Sequence, residues 1–282
     1  INVTSWIMLF CCRFLYPKKK LYLWSHGWYG KEGLIKVILK KLYFGMADAT
    51  FLYGNYAEKI ARVQGYTKDN LYVIHNSLNY NKQLLIRRQL KSSDVYRSHF
   101  ENNDHVLIFI GRLTRVKKLD MLVDAVYCLN NRGIACNLVF VGDGSEKNYL
   151  MQKVNALKIS QRVWFYGASY DEKKNAELIY NSDICISPGN VGLTAMHTMV
   201  YGTPVITHSE FKWQMPEFEA IKPGETGAFF DFENLDSLVD CISIWLKEKA
   251  SKREIIRDNC YREIDTNWTP VFQINIIKQH IK

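Results

Sequence analysis

The stretch DICISPGNVGLTAMHTMVYGTPVITH, residues 183–208, indicates the fold class of this chain. Its first apolar run, residues 184–187, has the length of a strand and is ended by a Pro-Gly pair. Apolar side chains then recur at helical spacing over residues 192–201, and a Gly-Thr-Pro triplet ends that helix before a second apolar strand at residues 205–207. The pattern predicts a strand–loop–helix–strand unit.

The loop between the first strand and the helix has the features of an anion site. Backbone N–H groups at the start of a helix lack partners within the helix, and the helix dipole favours a negative charge there. We therefore expect this loop to bind a phosphate group. The candidate contacts are Gly189, Asn190, Val191, Gly192, Leu193 and Thr194. The alternative is that the glycines of this segment only permit tight turns between packed elements.

Strands alternate with helices along the rest of the chain. Further apolar runs of strand length lie at residues 21–24, 49–52, 71–74, 106–110, 136–141, 163–166 and 228–230. This alternation predicts an α/β protein with doubly wound, parallel, Rossmann-like sheets. Residues 79–104 are polar, and they predict a linker or a helical crossover between two domains.

The domain organisation follows from this pattern. We expect a partial N-terminal Rossmann-like domain over residues 1–90 and a C-terminal Rossmann-like domain over residues 91–265. A final helix within residues 266–282 is expected to pack back toward the first domain. Parallel sheets bind ligands at the carboxyl ends of their strands, so the functional residues are expected there.

Glycines and polar residues follow several of the predicted strands. Gly111, Arg112 and Lys117 follow strand 106–110, where two long cations beside a glycine turn suit a diphosphate. The other candidates, which follow strands or flank the loop after the second strand of the central unit, are His26, Asn76, Gly142, Gly144, Gly167, His208 and Glu217. Several glycine-bearing strand ends on one sheet favour a nucleotide cleft over coincidental turns.

The composition is that of a globular protein. The chain has 282 residues, of which 48% are hydrophobic, enough for one large or two ordinary domains. Its seven cysteines lack paired metal-ligand spacing, and no Asp-x-Asp pair follows a strand. We therefore expect reduced cysteines, a cytoplasmic protein and no bound metal. No apolar run reaches the roughly 18 residues that a membrane span requires.

The charge is concentrated in the first third of the chain. Residues 1–90 contain 14 Lys and Arg against 4 Asp and Glu, whereas residues 91–282 contain 23 against 24. Several of these cations share a predicted amphipathic helix at residues 31–46 with apolar side chains, which favours peripheral binding at the inner, anionic face of a membrane. The alternative is a solvated face on an ordinary helix. No nucleic-acid-binding motif accompanies the charge, so we expect no nucleic-acid partner.

The order of these motifs resembles the family 4 glycosyltransferases, which have the GT-B fold of two Rossmann-like domains facing a cleft. The matching segments are SHG at 25–27, VIHNS at 73–77, GRLTRVKKLDML at 111–122, LVFVGDG at 138–144, VWFYG at 163–167, SPGNVGLTAMHTMVYGTPVI at 187–206 and PE…GETG at 216–227. The resemblance implies that Arg112 and Lys117 hold the donor diphosphate and that the main chain near Gly167 meets the base. It also implies that His26, the candidate catalytic residue, lies near the donor sugar.

Two departures from the family pattern affect the proposed site. The family usually has a glutamate at each of the positions occupied here by Gly189 and His197. A neutral imidazole can accept a hydrogen bond from a ribose hydroxyl, so His197 is a candidate ribose contact, and a buried structural histidine is the alternative. Asn190 could take over the sugar contact of the first glutamate. The resemblance also implies that the first domain begins with a strand and a glycine-rich loop upstream of this chain.

The resemblance implies an activity and its partners. We expect a metal-independent, retaining glycosyltransferase that uses a UDP- or GDP-linked sugar as its substrate and needs no cofactor. Its acceptor would be a glycan or a polyprenyl-linked molecule in bacterial surface polysaccharide synthesis. The alternative is a truncated or degenerate relative that binds nucleotides without transferring sugar. A GT-B epimerase or phosphorylase is a third interpretation.

Overall fold

The computed structural model describes residues 3–281, apart from the side chain at position 250. These residues form two compact units. The first contains the chain up to Asn76 together with the segment from Trp268 onward, and the second is Ser77–Asn267.

The described elements alternate along the chain. The strands are β1 Tyr22–Ser25, β2 Ala49–Leu52, β3 Leu71–Val73, β4 His105–Ile110, β5 Cys136–Val141, β6 Val163–Gly167, β7 Ile184–Ser187, β8 Val205–His208 and β9 Gly227–Phe230. The α-helices are α1 Val3–Phe10, α2 Leu34–Gly45, α3 Asn55–Val63, α4 Tyr80–Arg87, α5 Val95–Phe100, α6 Leu119–Asn131, α7 Lys147–Ala156, α8 Glu172–Asn181, α9 Leu193–Met199, α10 Leu235–Lys249, α11 Arg253–Asn267 and α12 Pro270–His280. A π-helical turn, Cys11–Leu15, continues α1. The predicted α/β class is confirmed.

The first unit is built on a three-stranded parallel sheet in the order β1–β2–β3. Every residue of β2 is buried, because helices cover this central strand on both faces. One core cluster includes Trp28, Phe44 and Leu52, and it draws on α1, α2 and α3. A second cluster packs Phe51 against Ile276 of α12.

Helix α12 is part of the first unit. Its N-terminus is capped by Thr269, whose hydroxyl accepts a hydrogen bond from the backbone N–H of Phe272 at 3.1 Å. The amide of Gln273 donates to the carbonyl oxygen of His75 at 2.8 Å, which ties the helix to the end of β3. The C-terminal segment therefore completes the unit that the N-terminal residues begin.

The second unit contains a six-stranded parallel sheet in the order β6–β5–β4–β7–β8–β9. Strands β5, β7 and β8 are buried along their whole length, as expected for a parallel sheet with helices on both faces. From β4 the chain runs outward through β5 and β6, and it then returns to build β7, β8 and β9 on the other side. The strand order therefore reverses between β4 and β7.

The boundary between the units lies earlier than the sequence suggested. We expected residues 77–90 in the N-terminal domain, but α4 belongs to the second unit. The Gln83 amide donates to Glu172 of α8 at 3.0 Å, and the Arg87 guanidinium makes two bonds, at 2.7 and 2.9 Å, to Asp265 of α11. These contacts bind α4 to the helices that cover the larger sheet.

Helix α11 was not anticipated from the sequence. Its buried apolar side chains, Ile256, Cys260 and Ile264, come one per turn in a largely polar segment, and the buried Arg257 lies beside the first of them in the sequence. A stripe of single residues four apart is narrower than the apolar face of a typical surface helix. The helical periodicity of apolar residues is therefore weak in the sequence of α11.

The carboxyl ends of three neighbouring strands are joined by close backbone contacts. The N–H of Gly111 donates to the carbonyl oxygen of Val141 at 2.9 Å, and that of Gly142 donates to Gly167 at 2.8 Å. Gly142 has φ +151°, and a Cβ atom there would lie 1.9 Å from the carbonyl oxygen of Gly111. The residue at position 142 must therefore lack a side chain.

We predict that Gly142→Ala lowers the free energy of unfolding by roughly 2–5 kcal/mol, because it adds a backbone clash to an unfavourable φ. Gly133→Ala is the matched control, since Gly133 also has a positive φ, +77°, but open space around its Cα. That change should cost only about 1 kcal/mol. Urea unfolding of both variants is the measurement. Equal losses would show that the strand ends do not approach as closely as described.

Candidate functional site

The loops after β4 and β7 leave the sheet side by side. The two strands are hydrogen-bonded neighbours, with Leu107 opposite Ile184 and Ile108 opposite Cys185. In open α/β sheets, ligands bind where the strand order reverses, beyond the carboxyl ends of such a pair. Residues 111–118 and 188–192 therefore form the candidate site of the second unit.

The two loops are in direct backbone contact at Gly189. Its N–H donates to the carbonyl oxygen of Lys117 at 2.9 Å. A Cβ atom on Gly189 would lie 2.0 Å from the carbonyl oxygen of Val116 and 2.7 Å from the Cα of Lys117. Position 189 therefore has no room for a side chain in this conformation, so a glutamate such as the family pattern has there could not be accommodated.

Lys117 crosses from one loop to the other. Its ammonium group donates to the carbonyl oxygen of Asn190 at 2.6 Å, and it lies about 4.0 Å from where a Cβ atom of Gly192 would be. Burial lowers the pKa of Lys117 to about 8, although the nearby carboxylate of Glu217 acts in the opposite direction. The positive charge of Arg112, whose side chain is exposed, also lowers the pKa of Lys117. The structure thus places five of the predicted residues near one another: Arg112, Lys117, Asn190, Gly192 and Glu217.

A glutamine that the sequence analysis did not select holds the loop after β7 in place. The Oε1 atom of the buried Gln214 accepts the N–H of Val191 at 2.9 Å. Its amide nitrogen donates to the hydroxyl of Thr207 at 2.9 Å and to the carbonyl oxygen of His208 at 3.1 Å. We expected the N–H of Val191 to contact the donor, but in this structure it is used within the protein.

Two further residues of the predicted phosphate loop differ in exposure. The hydroxyl of Thr194 is buried and donates to the carbonyl oxygen of Ile110 at 3.0 Å, which ties α9 to the end of β4. Leu193 is exposed at the start of α9. This helix spans seven residues, fewer than the sequence pattern suggested.

The predicted glycines at the neighbouring strand ends fall into two groups. A Cβ atom on Gly144 would lie 2.3 Å from the carbonyl oxygen of Leu113, so this residue, like Gly142, permits a contact between loops. Apart from Gly167 and its two chain neighbours, no described residue has an atom within 4 Å of the corresponding position at Gly167. The main chain at the end of β6 is therefore open to a ligand.

His197 belongs to a polar cluster between α8 and α9. Its Nε2 atom lies 3.1 Å from the Oε1 atom of Glu172, which also accepts from the hydroxyl of Tyr201 at 2.7 Å and the amide of Gln83 at 3.0 Å. Burial raises the pKa of Glu172, but the hydrogen bonds from His197, Tyr201 and Gln83 outweigh it and lower the pKa to about 2. Glu172 was not among the residues that the sequence pattern indicated for the site.

The two candidates at the end of β8 and in the segment that follows it, His208 and Glu217, are both buried. The Nδ1 atom of His208 accepts the N–H of Glu210 at 3.2 Å, and its ring lies 4.5 Å from that of Phe232. Burial lowers the pKa of His208 to about 4, so this imidazole is neutral at pH 7. The carboxylate of Glu217 is buried as well and acts electrostatically on Lys117.

The remaining candidates, His26 and Asn76, belong to the first unit. His26 directly follows β1, and its half-buried ring lies 4.8 Å from the ring of Tyr53 and 6.3 Å from that of Tyr29. Asn76 is half-buried in the segment after β3. Each therefore lies just beyond a strand of the smaller sheet.

The described residues were compared with the requirements of a metal site and of a membrane-spanning helix. Within residues 3–281, no group of three or more His, Cys, Asp or Glu side chains is arranged to hold a metal ion. No helix in the described part of the chain combines the length and apolar character needed to cross a membrane.

Two parallel-sheet α/β units, one of them with glycine- and lysine-bearing loops where its strand order reverses, define a protein of the GT-B type. The chain belongs to the glycosyl transferases group 1 family, whose model matches residues 93–263.

The chain is also similar to individual members of known function, but only over part of its length. The chain is 30% identical over 114 residues to a GDP-mannose-dependent alpha-(1-6)-phosphatidylinositol dimannoside mannosyltransferase of Mycobacterium tuberculosis. The matched region covers 39% of this chain and 29% of that protein. It is 27% identical over 167 residues to an N-acetyl-alpha-D-glucosaminyl L-malate synthase of Bacillus anthracis, covering 57% and 42%. The matches therefore span less than half of either relative.

The fold is also similar to that of solved structures. The structure of HepE from Anabaena in complex with UDP superposes with a TM-score of 0.75 at 16% identity. That match covers 98% of this chain and 75% of HepE. The similarity extends over both units and confirms the predicted GT-B fold.

We predict that Glu172→Gln destabilises the protein at pH 7 by about 1–3 kcal/mol, because three donors lose a charged acceptor. A carboxyl group with a depressed pKa stabilises the fold above its unfolded-state pKa, and that stabilisation is lost as the pH falls toward about 2. The wild-type protein should therefore lose more stability than the variant between pH 5 and pH 2, roughly the interval between the two pKa values. Urea unfolding across this pH range is the measurement.

Glu248→Gln, at an exposed carboxylate on α10, serves as the control and should leave the pH dependence unchanged. If Glu172→Gln also left unchanged both the stability at pH 7 and the loss of stability between pH 5 and pH 2, the cluster around His197 would not form as described.

Proposed function

We propose that this protein is a glycosyltransferase that moves a sugar from a nucleoside-diphosphate donor to an acceptor hydroxyl. The observation that supports this most strongly is the contact between Lys117 and the loop at residues 188–192 at the reversal of strand order. A partly buried ammonium group at this edge of a parallel sheet suits an anionic ligand. Membership of the glycosyl transferases group 1 family supports the same assignment.

The chemistry expected of the site is stabilisation of the leaving group. Transfer of the sugar builds negative charge on the departing diphosphate, and fixed cations lower the energy of that state. Lys117 has a pKa of about 8 and is therefore mainly charged at pH 7. Arg112, which is exposed on the same loop, can bind a phosphate through two parallel hydrogen bonds. No step of this proposal needs a metal ion or an organic cofactor.

The remaining contacts of the donor follow from the same proposal. The open main chain at Gly167 would meet the base, and Asn190 beside Gly189 would face the sugar. His197 would approach the ribose with Glu172 holding its ring. In the first unit, His26 would lie near the donor sugar, and Asn76 would line the acceptor side.

The finer description of the reaction rests on the resemblance to family 4 glycosyltransferases. It comprises a UDP- or GDP-linked donor, retention of the anomeric configuration, and a glycan or polyprenyl-linked acceptor in bacterial surface polysaccharide synthesis. A cytoplasmic location fits a nucleotide-sugar donor.

The alternative, a relative that binds nucleotide without transferring sugar, is favoured by one observation. The close contact of Gly189 with the loop after β4 leaves no room for a carboxylate at that position. Nucleotide binding without turnover in the presence of nucleotide-sugars and acceptors would support this alternative over the enzyme.

We also propose that the first unit binds an anionic membrane surface. Helix α2 exposes Leu34 and Ile35, which are 84% and 76% accessible, and it carries Lys36 and Lys41 among its apolar side chains. Apolar side chains beside lysines suit insertion at the boundary between anionic headgroups and acyl chains. Such a surface would bring the protein to a lipid-borne acceptor.

We predict that Arg112→Ala and Lys117→Ala each weaken binding of nucleoside diphosphates by roughly 1.5–3 kcal/mol, since each removes charge-assisted hydrogen bonds. Titration calorimetry with UDP, GDP and ADP is the measurement. Arg97→Ala, at an exposed arginine of α5 outside the candidate site, is the control and should retain wild-type affinity.

The pH dependence of binding provides a second criterion. Lys117 loses its charge above its pKa of about 8, so wild-type affinity should fall above pH 8, whereas Lys117→Ala should lack this step. Unchanged affinity in both the Arg112 and the Lys117 variant would locate the diphosphate elsewhere. No binding of any nucleoside diphosphate to the folded wild-type protein would refute the proposal.

We predict that replacing Leu34 and Ile35 together by Gln reduces binding to vesicles containing anionic phospholipid by roughly tenfold or more. The variant would no longer bury the apolar surface of these two side chains in the bilayer. Wild-type binding should weaken with salt, since part of it is electrostatic. Val63→Gln on α3 is the control, because Val63 is also 76% accessible. Co-sedimentation with vesicles is the assay, and equal binding of all variants would contradict a role for α2.

A further inference from the structure

The loop between β1 and α2, which carries His26, is held by an ion pair. The ammonium group of Lys40, on α2, donates to the carbonyl oxygen of Gly27 at 2.7 Å and to the Oε1 atom of Glu32 at 2.5 Å. The side chains of Lys40 and Glu32 are only 16% and 6% accessible. The pair is therefore largely removed from solvent.

Both carboxylate oxygens of Glu32 bond to the backbone of the same loop. Oε1 accepts the N–H of Tyr29 and Oε2 accepts the N–H of Gly30, each at 2.8 Å. Burial raises the pKa of Glu32, but the hydrogen bonds from Lys40 and Tyr29 outweigh it and lower the pKa to about 2. The carboxylate is therefore charged at neutral pH.

The pair is connected to His26 through aromatic rings. The Lys40 ammonium lies 5.6 Å from the ring centroid of Tyr29 and 5.9 Å from that of Trp28, within cation–π range. The ring of Tyr29 stacks beside that of His26, with centroids 6.3 Å apart. A change at the pair would thus reach His26 both through the ring of Tyr29 and through the carbonyl of Gly27.

A buried ion pair is a poor way to stabilise a fold, because apolar side chains of similar size are often as good or better. The three hydrogen bonds from the pair to its surroundings described above all go to the backbone of residues 27–30. Its contribution is therefore to the conformation of that loop. The pair also borders a pocket of about 520 Å³ that includes Trp6, Tyr29 and Lys36.

We propose that Glu32 and Lys40 are positioning residues that fix the loop carrying His26 in the orientation used for sugar transfer. This inference rests on the proposed function, in which His26 lies near the donor sugar. Neither residue needs to touch the substrate, because both act through the backbone of residues 27–30.

The test uses the full chain and the variants Glu32→Gln and Lys40→Met. Each should lower kcat roughly 10- to 100-fold, the range expected when a reacting group is displaced by about 1 Å. The Kd for UDP or GDP should stay unchanged, because the cations proposed to bind the diphosphate lie in the second unit. The NMR signals of the His26 imidazole should shift in both variants, and the double variant should be no worse than the more affected single variant.

Two controls accompany these variants. Lys40→Arg keeps the charge and should restore much of kcat, whereas Lys59→Met, at an exposed lysine of α3, should behave as wild type. If a variant fails to fold, the amide exchange rates of Tyr29 and Gly30 in Lys40→Arg still report on the loop.

The outcomes separate the inference from the proposed function. Wild-type kcat together with unchanged His26 signals in Glu32→Gln and Lys40→Met would overturn the inference. If the wild-type protein neither binds a nucleoside diphosphate nor turns over, the proposed function fails. In that case shifted His26 signals would still support the ion pair as the element that positions the loop, and unshifted signals would overturn it.

Discussion

The candidate site depends on one close approach, that of the backbone at Gly189 to the backbone of Val116 and Lys117. A hydrogen bond of 2.9 Å joins the two loops, and no side chain fits between them. Because the loops meet here, the ammonium group of Lys117 can reach the carbonyl oxygen of Asn190. The contact turns two separate strand ends into a single surface at the reversal of strand order.

Both units organise a loop by the same means. In the second unit Lys117 donates to the carbonyl oxygen of Asn190, and in the first unit Lys40 donates to that of Gly27. The charge balance differs between the two. Lys40 is paired directly with Glu32, whereas burial depresses the pKa of Lys117 and Glu217 offsets this only in part. An anionic ligand would favour the charged form of Lys117. The ammonium group of Lys40 already has the carboxylate of Glu32 as its counter-charge.

Much of the fold could be predicted from the sequence because the strands are short, continuous apolar runs. The predicted limits of β2 and β5 match the observed ones, and the loop after β7 follows its strand as expected. Helix α2 begins three residues later than predicted, at Leu34, because Glu32 turns back to bond the loop before it. Periodicity does not report such a contact, since it describes faces and not individual hydrogen bonds.

The polar residues that shape the site were harder to find. Gln214 is 23 residues from its partner Val191, and Glu172 is 25 residues from His197. Neither lies in a recognisable motif, and only the packing of helices and loops brings these pairs together. The sequence marked the loops that carry the site, but it could not indicate which polar side chains hold them.

The most direct test of the account is a crystal structure of the protein with a bound nucleoside diphosphate. We expect the diphosphate at the reversal of strand order, with an oxygen within hydrogen-bonding distance of the Lys117 ammonium group and the loop after β7 still joined to Lys117 through Gly189. A diphosphate bound away from Lys117, or loops that are separated at Gly189, would contradict the account.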